Sequence, residues 1–407
     1  MVLADSVKDL NGRLLMGKGT LLTPKAINIC KIWGVIEADI EGISSEEADA
    51  VSIQKFDVAT MTAAEEIVRK RFALMDMDHP AAREFFRICA LREAEGKHCH
   101  HGNIQQESSH RPDIKDIRNE KLPEINPLKF IKDDTRLSTL PDIFRQIIEA
   151  ISKPNSSARD IADVISKDPN LAARLLKIVN SAFYGYPSKI DTLSHAVNII
   201  GTKQLSTLAT GVNIIQMFKN IPSTIIDMKS FWKHSILCGI NARLIAGYKN
   251  IQNTERMFVA GLLHDIGRLI LYNHAPAQSL RAITIARDEA TPLYLVERQE
   301  LHYDHGNIGG ELLKKWKLPT SLEDIVRHHH NPDKSQNMLE SAIVHLSDIM
   351  ANAMGIGSSG EQWVPPLNND AWMQIGLSPH ILSLTIEQSD RQINDIFESI
   401  FTDEKYD

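Results

Sequence analysis

The 407-residue chain has only four cysteines, Cys30, Cys89, Cys99 and Cys238, and none of them form a C-x-x-C pair. That scatter excludes a disulfide framework and suits a reducing compartment. Long apolar runs are missing too. No stretch reaches the roughly 18 uninterrupted apolar residues of a spanning helix, and the first residues lack the basic and apolar regions of a secretory signal. A cytoplasmic protein without membrane association is therefore expected. Positive charge is in the minority, with 45 Lys and Arg against 52 Asp and Glu for a net charge of -7, and no Lys/Arg-rich run occurs. Such a field repels nucleic acid, so none is expected as a partner. A glycine-rich phosphate loop, an internal repeat and a sustained heptad run are also missing, which excludes a P-loop enzyme, a solenoid and a long coiled coil.

What is present is a globular composition, 43% hydrophobic and 24% charged, in a chain long enough for two or three packed units. Residues 1–43 read as a small α/β module. Arg13-Leu14-Leu15 is strand-like, Thr23-Pro24 opens a helix that should stop at Gly34, and Val35 to Ile40 alternates like a second strand. Residues 44–127 read as a helical arm, broken at His79-Pro80, followed by a polar linker rich in His, Ser, Gln, Asn and Pro. From Leu137 onward nearly every segment has a helical period. Helix starts are expected at Leu140-Pro141-Asp142, Asp168-Pro169, Thr254-Glu255, Thr291-Pro292 and Ser378-Pro379, with a capping box at Ser321 and Asp324. The fold class expected is mainly α, with an all-α domain over 128–350 and C-terminal helices over 351–407 packed upon it.

The 16 histidines carry the chemical signal. His234 falls on the stripe of Phe231, Leu237, Leu244, Ile245 and Tyr248 in a helix opening near Trp232. Taken alone it reads as a core histidine bonded to a carbonyl. His264 and Asp265 then sit in the apolar helical run Gly261 to Arg268. An unpaired buried carboxylate costs several kcal/mol, so Asp265 requires a cation or a dense set of donors. His305 shares a stripe with Ile308, Leu312 and Trp316, His329 shares one with Leu322, Ile325 and Val326, and Asp348 follows His345 by one helical step. Together His234, His264, Asp265, His305, His329 and Asp348 form a nitrogen and oxygen donor set that suits one or two divalent transition metal ions (manganese, iron, zinc or nickel) better than calcium. The alternative is a group of separate polar core residues, each satisfied locally.

The order of His, then His-Asp, then Asp on successive helices resembles the HD superfamily of metal-dependent phosphohydrolases, with Gly-Leu-Leu-His264-Asp265-Ile-Gly resembling its signature. Asp168-Pro169-x-Leu171, Leu175-Leu176, Asn180-Ser181-Ala182, Ile190, Ala196-Val197 and Ile200-Gly201 resemble the front half of the HDOD domain, the HD-related output domain of bacterial signalling proteins. The run His305-Gly-Asn-Ile-Gly309 through Trp316-x-Leu-Pro319 to His328-His329 is similar to the same domain. The resemblance covers about Leu137 to Pro332. It implies an all-α domain in a bacterial regulator, usually poor in catalytic residues, yet His234, His264, Asp265 and Asp348 occupy the four HD metal positions. His305 and His329 fall near the extra ligands of the related HD-GYP cyclic di-GMP phosphodiesterases, whose own signature run is replaced by His328-His329-His330-Asn331-Pro332.

Weaker signals have plainer readings. His98-Cys99-His100-His101 has no second Cys/His pair at a zinc-finger distance. Asp168 reads as an N-cap and Asn180-Ser181 as groups satisfying buried backbone. Arg268, where HD enzymes usually carry lysine, could pair with a phosphate or be an ordinary surface residue. Two functions stay open. One is a signalling module acting through a protein partner or nucleotide, with homodimer formation open. The other is a phosphohydrolase acting on a nucleotide, in which Asp265 bridges two ions and Arg268 neutralises the phosphate.

Overall fold

The computed structural model describes residues 1–8, 14–24, 26–27, 30, 38–42, 56–97, 121–133, 142–152, 157–186, 188–218 and 221–401. Near the N-terminus, β1 (Val7–Lys8) and β2 (Leu14–Met16) pair antiparallel, with Val7 opposite Met16. The strand expected from Arg13 is described from Leu14 onward, Arg13 itself lying outside the described residues. Of the second expected strand only 38–40 are described, and Ile40 makes a single bridge to Leu3. Residues 24, 26, 27 and 30 are helical; the stop expected at Gly34 lies outside the described residues. Leu3, Val7 and Cys30 form a small core of their own.

The expected break at His79-Pro80 separates α1 (Val58–Arg71) from α2 (Pro80–Ala94), where His79 Nδ1 accepts from the Ala81 N–H. Both helices bury side chains in the main core, Val68 and Phe85 among them, and Cys89 Sγ donates to the Ala353 carbonyl. The segment holding His98-Cys99-His100-His101 lies outside the described residues.

The rest is helical: α3 (Pro127–Asp133), α4 (Asp142–Ser152), α5 (Ala158–Ile165), α6 (Pro169–Val179), α7 (Leu193–Ile200), α8 (Thr202–Ile215), α9 (Met228–Tyr248), α10 (Thr254–Leu263), α11 (Ile266–His274), α12 (Pro276–Asp288), α13 (Leu293–Leu301), α14 (His305–Lys315), α15 (Thr320–His328), α16 (Met338–Met354), α17 (Asn369–Ile375) and α18 (His380–Phe401). The protein is mainly α. One hydrophobic core runs from Val68 to Phe401.

Caps explain most boundaries. Asp168 accepts from the N–H groups of Asn170 and Leu171 ahead of Pro169, and Asn180 bonds both the N–H and the carbonyl of Ile190. Three expected starts move. α9 begins a turn before Trp232, capped by Asp227, and the cap of α10 is Asn253 rather than Thr254. The Ser321/Asp324 box does not form: α15 starts at Thr320 after Pro319, while Asp324 instead accepts from Ser335 and Gln336.

α9 is the central helix, packed against α10, α16 and α18. Its contact with α10 is backbone-close, since a Cβ on Gly261 would lie 2.7 Å from the Gly239 Cα. A Cβ on Gly267 would lie 2.0 Å from the His305 carbonyl oxygen, so α11 touches α14 equally directly. These two glycine contacts draw four histidine- and aspartate-bearing elements to one place.

Candidate metal centre

The single helix expected over Gly261 to Arg268 is broken at its middle. α10 ends at Leu263, His264 is its C-cap, and Asp265 precedes α11. Neighbours within one helix point about 100° apart. His264 keeps helical dihedrals, Asp265 departs from them at φ -95° and ψ 8°, and both side chains reach one centre.

His234, His264, Asp265 and Asp348 place one donor atom each within 4.8 Å of one another. His234 Nε2 lies 3.2 Å from Asp348 Oδ1 and 3.4 Å from His264 Nε2, and His264 Nε2 lies 3.2 Å from Asp265 Oδ2. His305, His329 and His330 form a second group within the same limit. There, His305 Nε2 lies 3.2 Å from His329 Nε2 and 2.9 Å from His330 Nε2. Asp265 joins the two groups, because its Oδ2 faces His234 and His264 while its Oδ1 lies 2.9 Å from His305 Nε2.

The outer partners decide which nitrogens face inward. His264 Nδ1 bonds the Gly261 carbonyl at 2.6 Å, His329 Nδ1 bonds the Val326 carbonyl at 2.7 Å, and His305 Nδ1 bonds Glu297 Oε2 at 2.6 Å. The two carbonyls hold the proton on Nδ1 of His264 and His329 and leave their Nε2 lone pairs pointing at the centre, the pattern of metal-ligating histidine, whereas His305 Nδ1 lies between Glu297 and the Arg268 Nε–H, which donates to it at 3.2 Å. Converging lone pairs repel unless a proton or cation lies among them. His234 Nδ1 is buried with no partner among the described residues. The donor set therefore fits a divalent transition metal: two imidazoles and two carboxylates in the first group, three imidazoles and the shared Asp265 in the second.

The electrostatics of the two groups differ. Burial alone would raise the Asp265 carboxyl, but the Arg268 guanidinium and the His264 and His305 rings hold it well below the usual carboxylate range. Burial likewise opposes ionisation of Asp348, and hydrogen bonds from His234 and His264 hold it well below that range. Burial would lower His264, yet the Asp265 carboxylate carries it well above the ordinary imidazole value. In the second group, burial and Arg268 would lower His305, but Glu297 and Asp265 push it up to about 9. His329 and His330 are pushed well down by burial and by the neighbouring rings.

Arg268 does not lie on the surface. It is 2% exposed, and its Nη1 donates to Ser359 Oγ at 2.5 Å and to Asp265 Oδ2 at 3.3 Å. Its Nε lies 3.4 Å from Glu297 Oε1, and Glu361 lies 3.9 Å away. In this arrangement the guanidinium orients Asp265 and is not open to a phosphate. His345, the other histidine of the Asp348 helix, is committed to backbone: Nδ1 donates to the His329 carbonyl and Nε2 accepts from the Asn368 N–H.

A loop from Gly355 to Glu361 straps the centre. Gly357, at φ +82°, sits so close to α9 that a Cβ would lie 2.7 Å from the His234 N. Ser359 receives Arg268 through its hydroxyl and Tyr272 through its carbonyl, and Glu361 accepts from the Leu293 N–H at the start of α13. Burial pushes the Glu361 carboxyl up to about 7 despite Arg268.

All six residues read from the sequence thus meet at one place. Sequence reading missed His330, Glu297, Ser359 and Glu361. The triple histidine 328–330 offered a signal for His330, whereas Glu297 lies in an ordinary charged helix and the last two lie in a glycine-rich loop.

Comparison with known proteins bears on the fold. The family model of the HDOD domain matches residues 137–332. The chain therefore carries an HDOD domain across most of its helical part. An uncharacterized protein of Treponema pallidum (strain Nichols) is 28% identical over 193 residues, which cover 47% of this chain and 37% of that relative's length. Among solved structures, an HDOD domain protein of unknown function from Geobacter sulfurreducens superposes with a TM-score of 0.52 at 23% identity, covering 68% of this chain and 96% of that one. A protein of Shewanella amazonensis SB2B, described as a candidate phosphohydrolase, gives 0.53 at 21% identity, with coverage of 67% and 97%. A candidate signal transduction protein of Marinobacter aquaeolei VT8 gives 0.51 at 20%, with coverage of 77% and 72%. These likenesses share the fold. Among the described residues, no helix is long and apolar enough to cross a membrane.

Proposed function

We propose that this chain is a signal-transduction protein whose HDOD domain holds one or two divalent transition metal ions at the joined His/Asp groups. The bound ions fix the mutual arrangement of α9, α10, α11, α14, α15 and α16, and a protein partner or nucleotide reads that arrangement. The observation carrying this reading is the inward convergence of Nε2 atoms whose Nδ1 atoms are pinned from outside. Burial favours a regulatory role over turnover, because His234, His264, His305 and His329 are all fully buried and His330, the most accessible ligand candidate, is only 9% exposed.

A second reading, a metal-dependent phosphohydrolase, is favoured by the division of the Asp265 oxygens between the two groups. Ions bound there would supply positive charge to a phosphate and lower the pKa of a water. For its part the chain would orient Asp265 through Arg268 and hold the His305 ring through Glu297. Among the described residues, no further side chain stands ready as a general base.

The test is to purify the protein without chelator, measure bound metal by mass spectrometry, and follow thermal unfolding with and without chelator. Assays with cyclic dinucleotides and an aryl phosphodiester complete it. We expect bound transition metal, a lower Tm after chelation and no turnover. Turnover abolished by Asp265→Asn would replace the signalling reading with the enzymatic one. A metal-free protein whose Tm is indifferent to added metal would remove both.

A further inference from the structure

A cavity of about 330 Å³ lies between α8, the start of α10 and the turn joining α14 to α15. That volume is at the lower end for small-ligand pockets, roughly 300–1,000 Å³. Its charge is opposite to that of the chain. Lys203, Arg256 and Lys317 line it, and no carboxylate does, in a protein whose net charge is -7. Both lysines are exposed, and neither forms an ion pair among the described residues. Lys317 is held at φ +56°, a left-handed conformation a long side chain rarely adopts, and it is placed at the cavity mouth by the turn after Trp316.

Neutral donors stand beside these cations. Asn253 uses its Oδ1 to cap α10, leaving its amide N–H₂ to donate, and Ser321 Oγ accepts from Arg256 at 3.3 Å, leaving its own O–H. Val259, Leu318 and Leu322 supply an apolar wall. Ammonium and guanidinium groups, hydroxyl donors and one apolar face together match an anion with several oxygens joined to a flat organic body.

We propose that this cavity binds a small organic phosphate of mononucleotide size, with its phosphate between Lys203 and Lys317 and its ring against Val259 and Leu322. The proposal stands apart from the metal reading, since none of the residues lining the cavity belongs to the His/Asp centre. Arg256 connects the two places: it pairs with Glu340 on α16, the helix that carries Asp348. A phosphate that draws on Arg256 competes with Glu340 and so bears on the position of α16.

Isothermal titration of the full chain with inorganic pyrophosphate and the common nucleoside 5′-monophosphates tests this, with adenosine as the uncharged control. Binding of at least one monophosphate, weakening with added salt, is expected, and adenosine should not bind. The Lys203→Ala/Lys317→Ala variant should weaken binding roughly tenfold or more. Both side chains are exposed, so its circular dichroism should match the parent. The proposal is overturned if no phosphate probe binds at up to about 10 mM, if the lysine variant binds as tightly as the parent, or if binding survives the lysine changes but is lost in Asp265→Asn, which would move the ligand to the metal centre.

Discussion

The two halves of the His/Asp centre solve the same problem of buried charge in opposite ways. The group of His234, His264, Asp265 and Asp348 balances two imidazoles with two carboxylates, so even protons alone can satisfy it. The group of His305, His329 and His330 has no acid of its own; it borrows Asp265 and leans on Glu297 from behind. A balanced set can persist without an ion, whereas the three facing imidazoles of the second group have only the proton on His305 to share among them. The first half should therefore be the stabler and the second the more metal-dependent.

Asp265→Asn attacks the element they share and should have the largest effect. Metal should be lost from both halves, as measured by mass spectrometry. Arg268 would keep Glu297 and Glu361 but lose one of its three carboxylate neighbours, which costs about 1.5–3 kcal/mol in denaturant unfolding. If one equivalent of metal stays bound, Asp265 is not the bridge. Asp348→Asn separates the halves. It removes a carboxylate that only the first group touches, so metal content should drop by about one equivalent per chain while the second group retains its ion. Equal loss from both halves would show them to be a single unit.

The strap supplies a pH test of the frame around both halves. Glu361 is raised from 4.5 to about 7, so the folded state binds its proton more tightly than the unfolded state does. Its contribution is fully present below pH 4.5 and is lost as pH rises through about 7, a change of order 3 kcal/mol. In Glu361→Gln, urea midpoints across that range should flatten relative to the parent; an unchanged slope would assign the dependence to other groups. His330→Ala should have the smallest effect, lowering metal affinity of the second half by roughly tenfold with the first half unaltered. Metal titration followed by calorimetry reads that difference.

Much of this was legible from spacing. Apolar stripes located the helices, and polar residues interrupting those stripes marked His234, His305, His329 and Asp348. The unread parts share a physical cause: they depend on where helices stop. His264 keeps helical dihedrals and the departure comes at Asp265, at φ -95° and ψ 8°, between α10 and α11, while His329 and His330 lie just beyond the end of α15. Periodicity describes helix interiors and carries no information about the direction of side chains at such breaks. The Ser321/Asp324 box failed for a related reason. Pro319 sets the start of α15, and Ser321 and Asp324 find tertiary partners in Arg256 and Ser335. Glu297 and Glu361 escaped notice because their partners lie on other elements, and nothing in their own neighbourhoods marks them as buried.

The strap from Gly355 to Glu361 has a bearing on how this domain is delimited. The match to the HDOD family model ends at residue 332, yet Asp348, Ser359 and Glu361 all come afterwards. A fragment trimmed to residues 137–332 would lose a carboxylate from the first half, the hydroxyl that steadies Arg268 and the acceptor at the head of α13. The smallest piece able to assemble the centre thus outruns the stretch that the family model matches, and it extends at least to Glu361.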